Sequence, residues 1–360
     1  MAANKWMARL QKLEGAVLDT AQNPYLSGLD TPSPSFNFIY GKNWLMPFGF
    51  STIFYGPPAG GKSLLTNAII GHLHKTDPEA IAVKYNTELR ELGQLTDHDA
   101  KIWGIDRDRY VAFNTNKPDE IFDPIVNQIN ADCQEGSPIK LIIIDSMSNI
   151  AGRRSLNADS INTMQIGDEA ATLQAGLKMI MPVYRKHKIH LIMTVQVRDE
   201  MDPLQKMRGN DTKMAASWYL KHAAEYYVNI ERDDTKNGKS DLLDNNYVET
   251  MGSSINDPKK MEISGHRIRF QMKKSSVHAP GRSGALTFDY RKGIINTHEE
   301  VFLLGTTRGV IQRPNNVTYT YKNDSWRGMP AMLEAIKNSQ ELYDSILKDV
   351  KEIDVLSMTE

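Results

Sequence analysis

The segment Gly56-Pro-Pro-Ala-Gly-Gly-Lys62-Ser63 carries the most specific chemistry in the chain. The apolar stretch Ser51–Tyr55 runs into it, and Leu64-Leu65-Thr66-Asn67 opens a helical pattern after it. Glycines let successive backbone N–H groups turn inward around phosphate oxygens, and a helix N-terminus adds a favourable dipole. In a loop of this kind the lysine, here Lys62, contacts the β- and γ-phosphates, and the serine hydroxyl, here Ser63, ligates Mg²⁺. ATP with Mg²⁺ is therefore the expected ligand. Gly56, Pro57, Pro58, Ala59, Gly60, Gly61, Lys62, Ser63 and Leu64 are the residues expected to hold it.

Two acids complete the pattern. A Mg²⁺-holding carboxylate belongs at the end of a second apolar strand, and Asp145 closes Leu141-Ile-Ile-Ile144 just before Ser146. Hydrolysis also needs a group that orients or deprotonates water. Glu88, in Tyr85-Asn86-Thr87-Glu88, follows the strand candidate Ile81–Tyr85 and takes that role, with Glu91 as a nearby competitor.

These residues require a scaffold of short strands alternating with longer helices. Strands are expected at Ser51–Tyr55, Ile81–Tyr85, Lys140–Asp145, His190–Gln196, Tyr226–Glu231, Arg267–Gln271 and Leu286–Tyr290. Helices are expected around Leu64–His74, Glu120–Asn130 and Gly167–Lys186. Nearly all-apolar strands separated by helices predict an α/β fold with a buried, mainly parallel sheet. The later strands follow one another with less helix between them, so that sheet should end in an antiparallel part.

The chain divides into three stretches. Residues 1–35 hold an N-terminal helix over 4–20 and a proline-bearing linker. Trp6, Leu10, Leu13 and Val17 make that helix's apolar stripe, which packs on its own domain or serves oligomerisation by docking on a neighbour. Residues 36–298 are the core, within which 233–260 read as a polar insertion, and 299–360 are a small α/β element with a strand at Val317–Lys322 and a mostly helical stretch over Met329–Lys351.

Taken in order, several of these features resemble the RecA family of recombinases. The quoted set is Gly56–Ser63, Asn86-Thr87-Glu88, Trp103-Gly104-Ile105-Asp106, Ile142–Ser146, Thr194-Val195-Gln196-Val197-Arg198 and Lys221 through Arg232. The closest resemblance is to the phage branch typified by UvsX. It covers roughly residues 36–296 and implies a RecA-like P-loop ATPase core with an N-terminal helix arm and a small C-terminal element. It also implies that Gln196 senses the γ-phosphate and that Tyr290, in Asp289-Tyr290-Arg291, flanks the adenine. In the family, ATP lies between protomers, and Lys274 stands where a basic residue reaches across. A second cation is expected two residues later, where this chain has Ser276, leaving Lys273 or Arg282 as substitutes. Lys221 and His222 fall at the implied protomer interface.

The same resemblance implies two DNA-binding loops. The first is Gly152–Ala170 with Arg153 and Arg154; the second is about Val197–Leu220 with Arg198, Lys206, Arg208 and Lys213. Met164, Ile166, Met201 and Met207 are candidates to wedge between bases. The implied activity is a DNA-dependent ATPase that forms helical filaments on single-stranded DNA, then engages duplex DNA for pairing and strand exchange. Single-strand-binding and mediator proteins are further implied partners. A hexameric helicase or motor built on the same core is the alternative.

Composition narrows the partners only loosely. A net charge of -1 counts against a protein that coats DNA by bulk charge alone, yet a local groove needs only a few cations. One cysteine, Cys133, excludes an internal disulfide framework and fits a reducing compartment. No apolar run is long enough for a bilayer and none at the N-terminus resembles a secretory signal, so the cytoplasm, or a host's cytoplasm, is the expected location.

Overall fold

The computed structural model describes residues 27–41, 43–89, 95–156, 167–199, 212–214, 218–233, 241–243 and 263–356. The expected helix over 4–20, Glu91 and most of the 233–260 insertion lie outside that set.

The main path of the central sheet runs through β1 (Ser51–Gly56), β2 (Ile81–Asn86), β3 (Tyr110–Asn114), β4 (Ile139–Asp145), β5 (His190–Asp199), β6 (Tyr226–Arg232), β7 (Ile263–Ser275), β8 (Ser283–Asp289) and β9 (Gly293–Ile295), with the short strands Thr212–Met214 and Asp241–Leu243 pairing off it with β5 and β7. Their spatial order is β9-β8-β7-β6-β1-β5-β4-β2-β3. From β6 to β3 every neighbouring pair is parallel, and β7, β8 and β9 add antiparallel strands at the other side. The mainly parallel sheet with an antiparallel end is thus as the sequence predicts. Ile142, Ile143 and Ile144 are all fully buried because helices cover both faces of β4.

The helices are α1 (Pro34–Phe38), α2 (Lys62–Thr76), α3 (Asp97–Trp103), α4 (Pro118–Pro124), α5 (Asp168–Lys186), α6 (Trp218–Ala223), α7 (Thr297–Thr307), α8 (Met329–Asn338) and α9 (Gln340–Leu356). One face of the sheet packs Phe54, Leu141, Ile143 and Ile192 against Leu65, Ile69 and Leu73 of α2. The other packs Ile53, Val83, Ile142 and Ile144 against α4 and α5 through Phe122, Leu173, Leu177 and Ile180. This period-2 division of β4 decides which side chains can reach the phosphate loop.

Two local expectations need correction. The single helix Glu120–Asn130 is instead α4, a wide π turn at Ile125–Ile129 and a further turn at Asn130–Gln134. Pro124 has no N–H to give to the helical ladder, and the wide turn follows directly. The edge strand β3 was not expected; it pairs only with β2 and leaves Val111 and Phe113 more than 40% exposed, so it lacks the buried-strand pattern. The stretch 329–351, expected to be mostly helical, is formed by α8 and α9, divided at Ser339, whose hydroxyl accepts from the Leu342 N–H at 3.2 Å and starts α9.

The small C-terminal unit carries a hairpin, β10 (Thr318–Tyr321) with β11 (Asp324–Arg327), beside α7, α8 and α9. Its core of Val301, Phe302, Ile311, Met332, Ile336 and Ile346 also takes in Trp44. Glu300 on α7 accepts from the Ser33 hydroxyl at 2.6 Å and the Ser35 N–H at 3.0 Å. Segments at both ends of the described chain are therefore bound to each other as well as to the sheet.

Candidate nucleotide site and nucleic-acid face

β1 delivers the chain into the phosphate loop at the C-terminal edge of the parallel strands, where open α/β sheets place their ligands. Gly56 is required there by a close backbone approach, since a Cβ would collide with the Ile230 carbonyl oxygen. Ala59 and Gly61 have φ of 58° and 92°, in the left-handed region, and Gly61 caps the start of α2. The loop thus ends at the positive end of a 15-residue helix.

A cleft of about 460 Å³ opens over this loop. Its walls are Pro58, Ala59, Gly60, Gly61, Lys62, Ser63, Leu64, Glu88, Gln196, Arg232, His266 and Tyr290. The sequence-predicted Lys62, Ser63, Glu88, Gln196 and Tyr290 are brought together, although they come from widely separated stretches. Gly56 and Pro57 form the base of the loop, where their carbonyl oxygens accept from Lys62 Nζ at 2.9 and 2.7 Å. Burial lowers the Lys62 pKa, opposed by Asp145 and Glu88.

Asp145 stands behind Ser63 at the end of β4, and the peptide bond that follows it is cis. Its Oδ1 accepts from the Thr194 hydroxyl at 2.6 Å, and its Oδ2 lies 3.5 Å from Lys84 Nζ. Burial pushes the Asp145 carboxyl up, but Lys84 and the hydroxyls of Thr194 and Ser63 outweigh it, and the net shift is downward. An ionised carboxylate beside a serine hydroxyl is a hard-oxygen donor set suited to Mg²⁺. Asp145 and Ser63 therefore fit the ion that the fold implies.

Gln196 Nε2 donates to Glu88 Oε1 at 2.9 Å across the mouth of the cleft. The Gln196 N–H in turn donates to Ser148 Oγ at 3.1 Å, and Thr87 ties the β2 end to β4 by donating its hydroxyl to the Ser146 carbonyl at 2.6 Å. The ends of β2, β4 and β5 thus form one hydrogen-bonded set. At the far wall, Tyr290 is 37% exposed and its hydroxyl meets His266 Nδ1 at 2.8 Å and an Arg232 guanidinium N–H at 3.4 Å.

Lys84, Thr194, Arg232 and His266 were not singled out from the sequence. Lys84 had a signal, being a lysine inside the apolar run Ile81-Ala-Val-Lys-Tyr85, and Thr194 lies two residues before Gln196 on the same strand face. Arg232 reaches the cleft because β6 runs parallel beside β1, and His266 because β7 pairs with β6, pairings that the sequence does not reveal.

Lys274 lies outside this cleft. Its Nζ donates to the Ala224 carbonyl at 2.7 Å and stands 4.9 Å from the Tyr227 ring centre, at the opposite end of β6 from Arg232. One chain therefore does not bring Lys274 to its own phosphate loop. Of its suggested substitutes, Arg282 donates to the Phe38 carbonyl at 3.1 Å and covers the Phe38 ring, while Lys273 is exposed.

Arg153 and Arg154 are exposed on a short helical turn, Arg153–Leu156, that enters the first candidate loop. Asp168 anchors the loop's base by accepting from Ser155 N–H and Oγ at 2.9 and 3.0 Å, and Arg153 pairs with Asp119 at 3.2 Å. Met164, Ile166, Met201, Lys206, Met207 and Arg208 lie outside the described residues. Arg198 and Lys213 face each other across β5 and the short strand Thr212–Met214, and their side chains are likewise outside the described set. β5 thus runs without interruption from Gln196 into the second candidate loop.

Comparison with known proteins agrees with this architecture. The chain is 20% identical over 365 residues to a Wigglesworthia glossinidia brevipalpis protein named RecA, covering 99% of this chain and 97% of that one. It is 21% identical to RecA of Mycoplasma mycoides subsp. mycoides over 83% of this chain and 76% of the relative. It is 22% identical to RecA of Thermotoga neapolitana over 85% and 78%. These relatives support the RecA family. No protein-family model matches the chain.

Proposed function

We propose that the protein is an ATP-dependent recombinase of the UvsX-like branch, assembling as a helical filament on single-stranded DNA and pairing it with a homologous duplex. The RecA-named relatives support a role in recombination and repair. The observation that carries the mechanism is the 2.9 Å hydrogen bond from Gln196 to Glu88. Glu88 is the proposed group that orients the attacking water, and Gln196 sits on the strand that enters a proposed DNA loop. A change at the terminal phosphate is thus felt directly by the backbone that leads to the DNA.

Mg²⁺, held by Ser63 and Asp145, would neutralise charge on the phosphates. Lys62 leaves the Gly56 and Pro57 carbonyls for the phosphate oxygens, and the loop amides orient the chain of phosphates. Glu88 holds the water in line, and Gln196 exchanges its bond to Glu88 for one to the γ-phosphate. Lys274 acts from the neighbouring copy, consistent with its distance from its own cleft. Arg153, Arg154, Arg198, Lys206, Arg208 and Lys213 grip the polynucleotide backbone, while base pairing supplies sequence specificity. The N-terminal stretch 1–35 links copies, the core is 36–298, and 299–360 gathers duplex DNA. Single-strand-binding and mediator proteins are the proposed helpers, and the cytoplasm is the proposed compartment.

Electron microscopy with a non-hydrolysable ATP analogue and single-stranded DNA tests this reading. Helical filaments are expected. Closed hexameric rings would favour a helicase or motor, and no assembly at all would remove the recombinase role.

A further inference from the structure

Lys84 is a charged side chain in the middle of a parallel sheet. β2 lies between β3 and β4, and Lys84 is 5% exposed. A lysine ammonium has three N–H donors and no acceptor, and burying it is costly unless the donors are matched. Here three oxygens surround it: Thr66 Oγ1 at 3.3 Å, Asn67 Oδ1 at 3.2 Å and Asp145 Oδ2 at 3.5 Å. Thr66 and Asn67 belong to the first turns of α2, directly after the phosphate loop. Lys84 therefore ties the loop's helix to the carboxylate at the end of β4.

We infer that Lys84 is the internal counter-ion of the metal site, holding the charge of Asp145 balanced so that a divalent ion binds only together with a nucleotide. This rests on the nucleotide site described above. Around the unliganded loop, Asp145 and Glu88 supply two negative charges, and Lys62, Lys84 and Arg232 of the cleft wall supply three positive ones. A divalent cation meets no net attraction in such a site. A polyphosphate brings the missing negative charge, and Ser63 and Asp145 then share the ion with it. The fixed position of Lys84, with all three donors matched, makes this a property of the folded core rather than of a mobile side chain.

The experiment is a titration with Mn²⁺, read by the electron-paramagnetic-resonance signal of the free ion, with and without ADP. The parent is expected to bind Mn²⁺ only when ADP is present. Lys84→Met, apolar and unbranched, should bind Mn²⁺ without nucleotide at least tenfold more tightly than the parent, and Lys84→Met with Asp145→Asn should lose that gain. Lys84→Gln keeps a hydrogen-bonding end towards Thr66 and Asn67, so it answers the question where the methionine variant melts early. If both single variants bind free Mn²⁺ no better than the parent, or the parent binds it tightly without ADP, Lys84 is not the counter-ion, and the nucleotide site stands. If the parent takes up no Mn²⁺ even with ADP, the nucleotide site and this role fall together.

Discussion

At the scale of single residues, Lys62, Glu88 and Gln196 divide the work by position. Lys62 is buried at the base of the loop, where burial lowers its pKa and Asp145 and Glu88 partly oppose that shift. Lys62→Ala should abolish nucleotide turnover, and equilibrium dialysis with labelled ATP should register weakened binding. Glu88→Gln preserves shape and hydrogen bonding to Gln196 but removes the charge proposed to orient water. Its hydrolysis should fall by roughly a hundredfold or more while ATP binding persists. A Glu88→Gln protein that turns over ATP at the parent rate would remove Glu88 from that role. For Arg153 and Arg154, joint replacement by Ala should flatten the salt dependence of single-strand binding. The log–log slope should shrink by about 0.7 for each phosphate that is no longer neutralised.

At the scale of elements, the loop works because β1, β6 and α2 meet with almost no space to spare. Gly56→Ala would drive a methyl into the Ile230 carbonyl oxygen on the neighbouring strand, and neither backbone can yield without breaking the pairing of β1 with β6. The variant should lose nucleotide binding and show a lower melting temperature by calorimetry. Much of this level was legible in the sequence. Leu141-Ile-Ile-Ile-Asp145 announced a fully covered strand with an acid at its end, and Gly56–Ser63 announced the turn after β1. What stayed hidden depends on pairing rather than on local pattern. Arg232 enters the cleft because β6 runs parallel beside β1, and His266 because β7 runs antiparallel beside β6, bringing a distant strand past the phosphate loop. β3 was missed because an edge strand with exposed Val111 and Phe113 carries no buried-strand signature. Lys84 was passed over because an isolated lysine in an apolar run gives no hint of the carboxylate at the end of the neighbouring strand.

At the scale of the whole molecule, Glu300 binds the small C-terminal unit to the segment before the core. Burial raises its carboxyl to about 8, with the Ser33 and Ser35 hydrogen bonds opposing, so the neutral form is the one the fold prefers. A carboxyl whose folded pKa lies above its unfolded value contributes stability that is complete below the unfolded pKa and is lost as pH rises through the folded one. Denaturant midpoints should therefore fall between about pH 4.5 and 8, by up to about 1.4 kcal/mol per pH unit. Glu300→Gln should remove that slope; an unchanged slope would assign it to other groups.

The same molecule-wide connectivity joins the nucleotide cleft to the proposed DNA face through β5. The most direct test is the steady-state rate of ATP hydrolysis by the parent protein, measured with and without a single-stranded oligonucleotide. Marked stimulation by the oligonucleotide is expected, reduced when Gln196 is replaced by Ala. An oligonucleotide that leaves the rate unchanged would contradict a site in which terminal phosphate and polynucleotide are read by one strand.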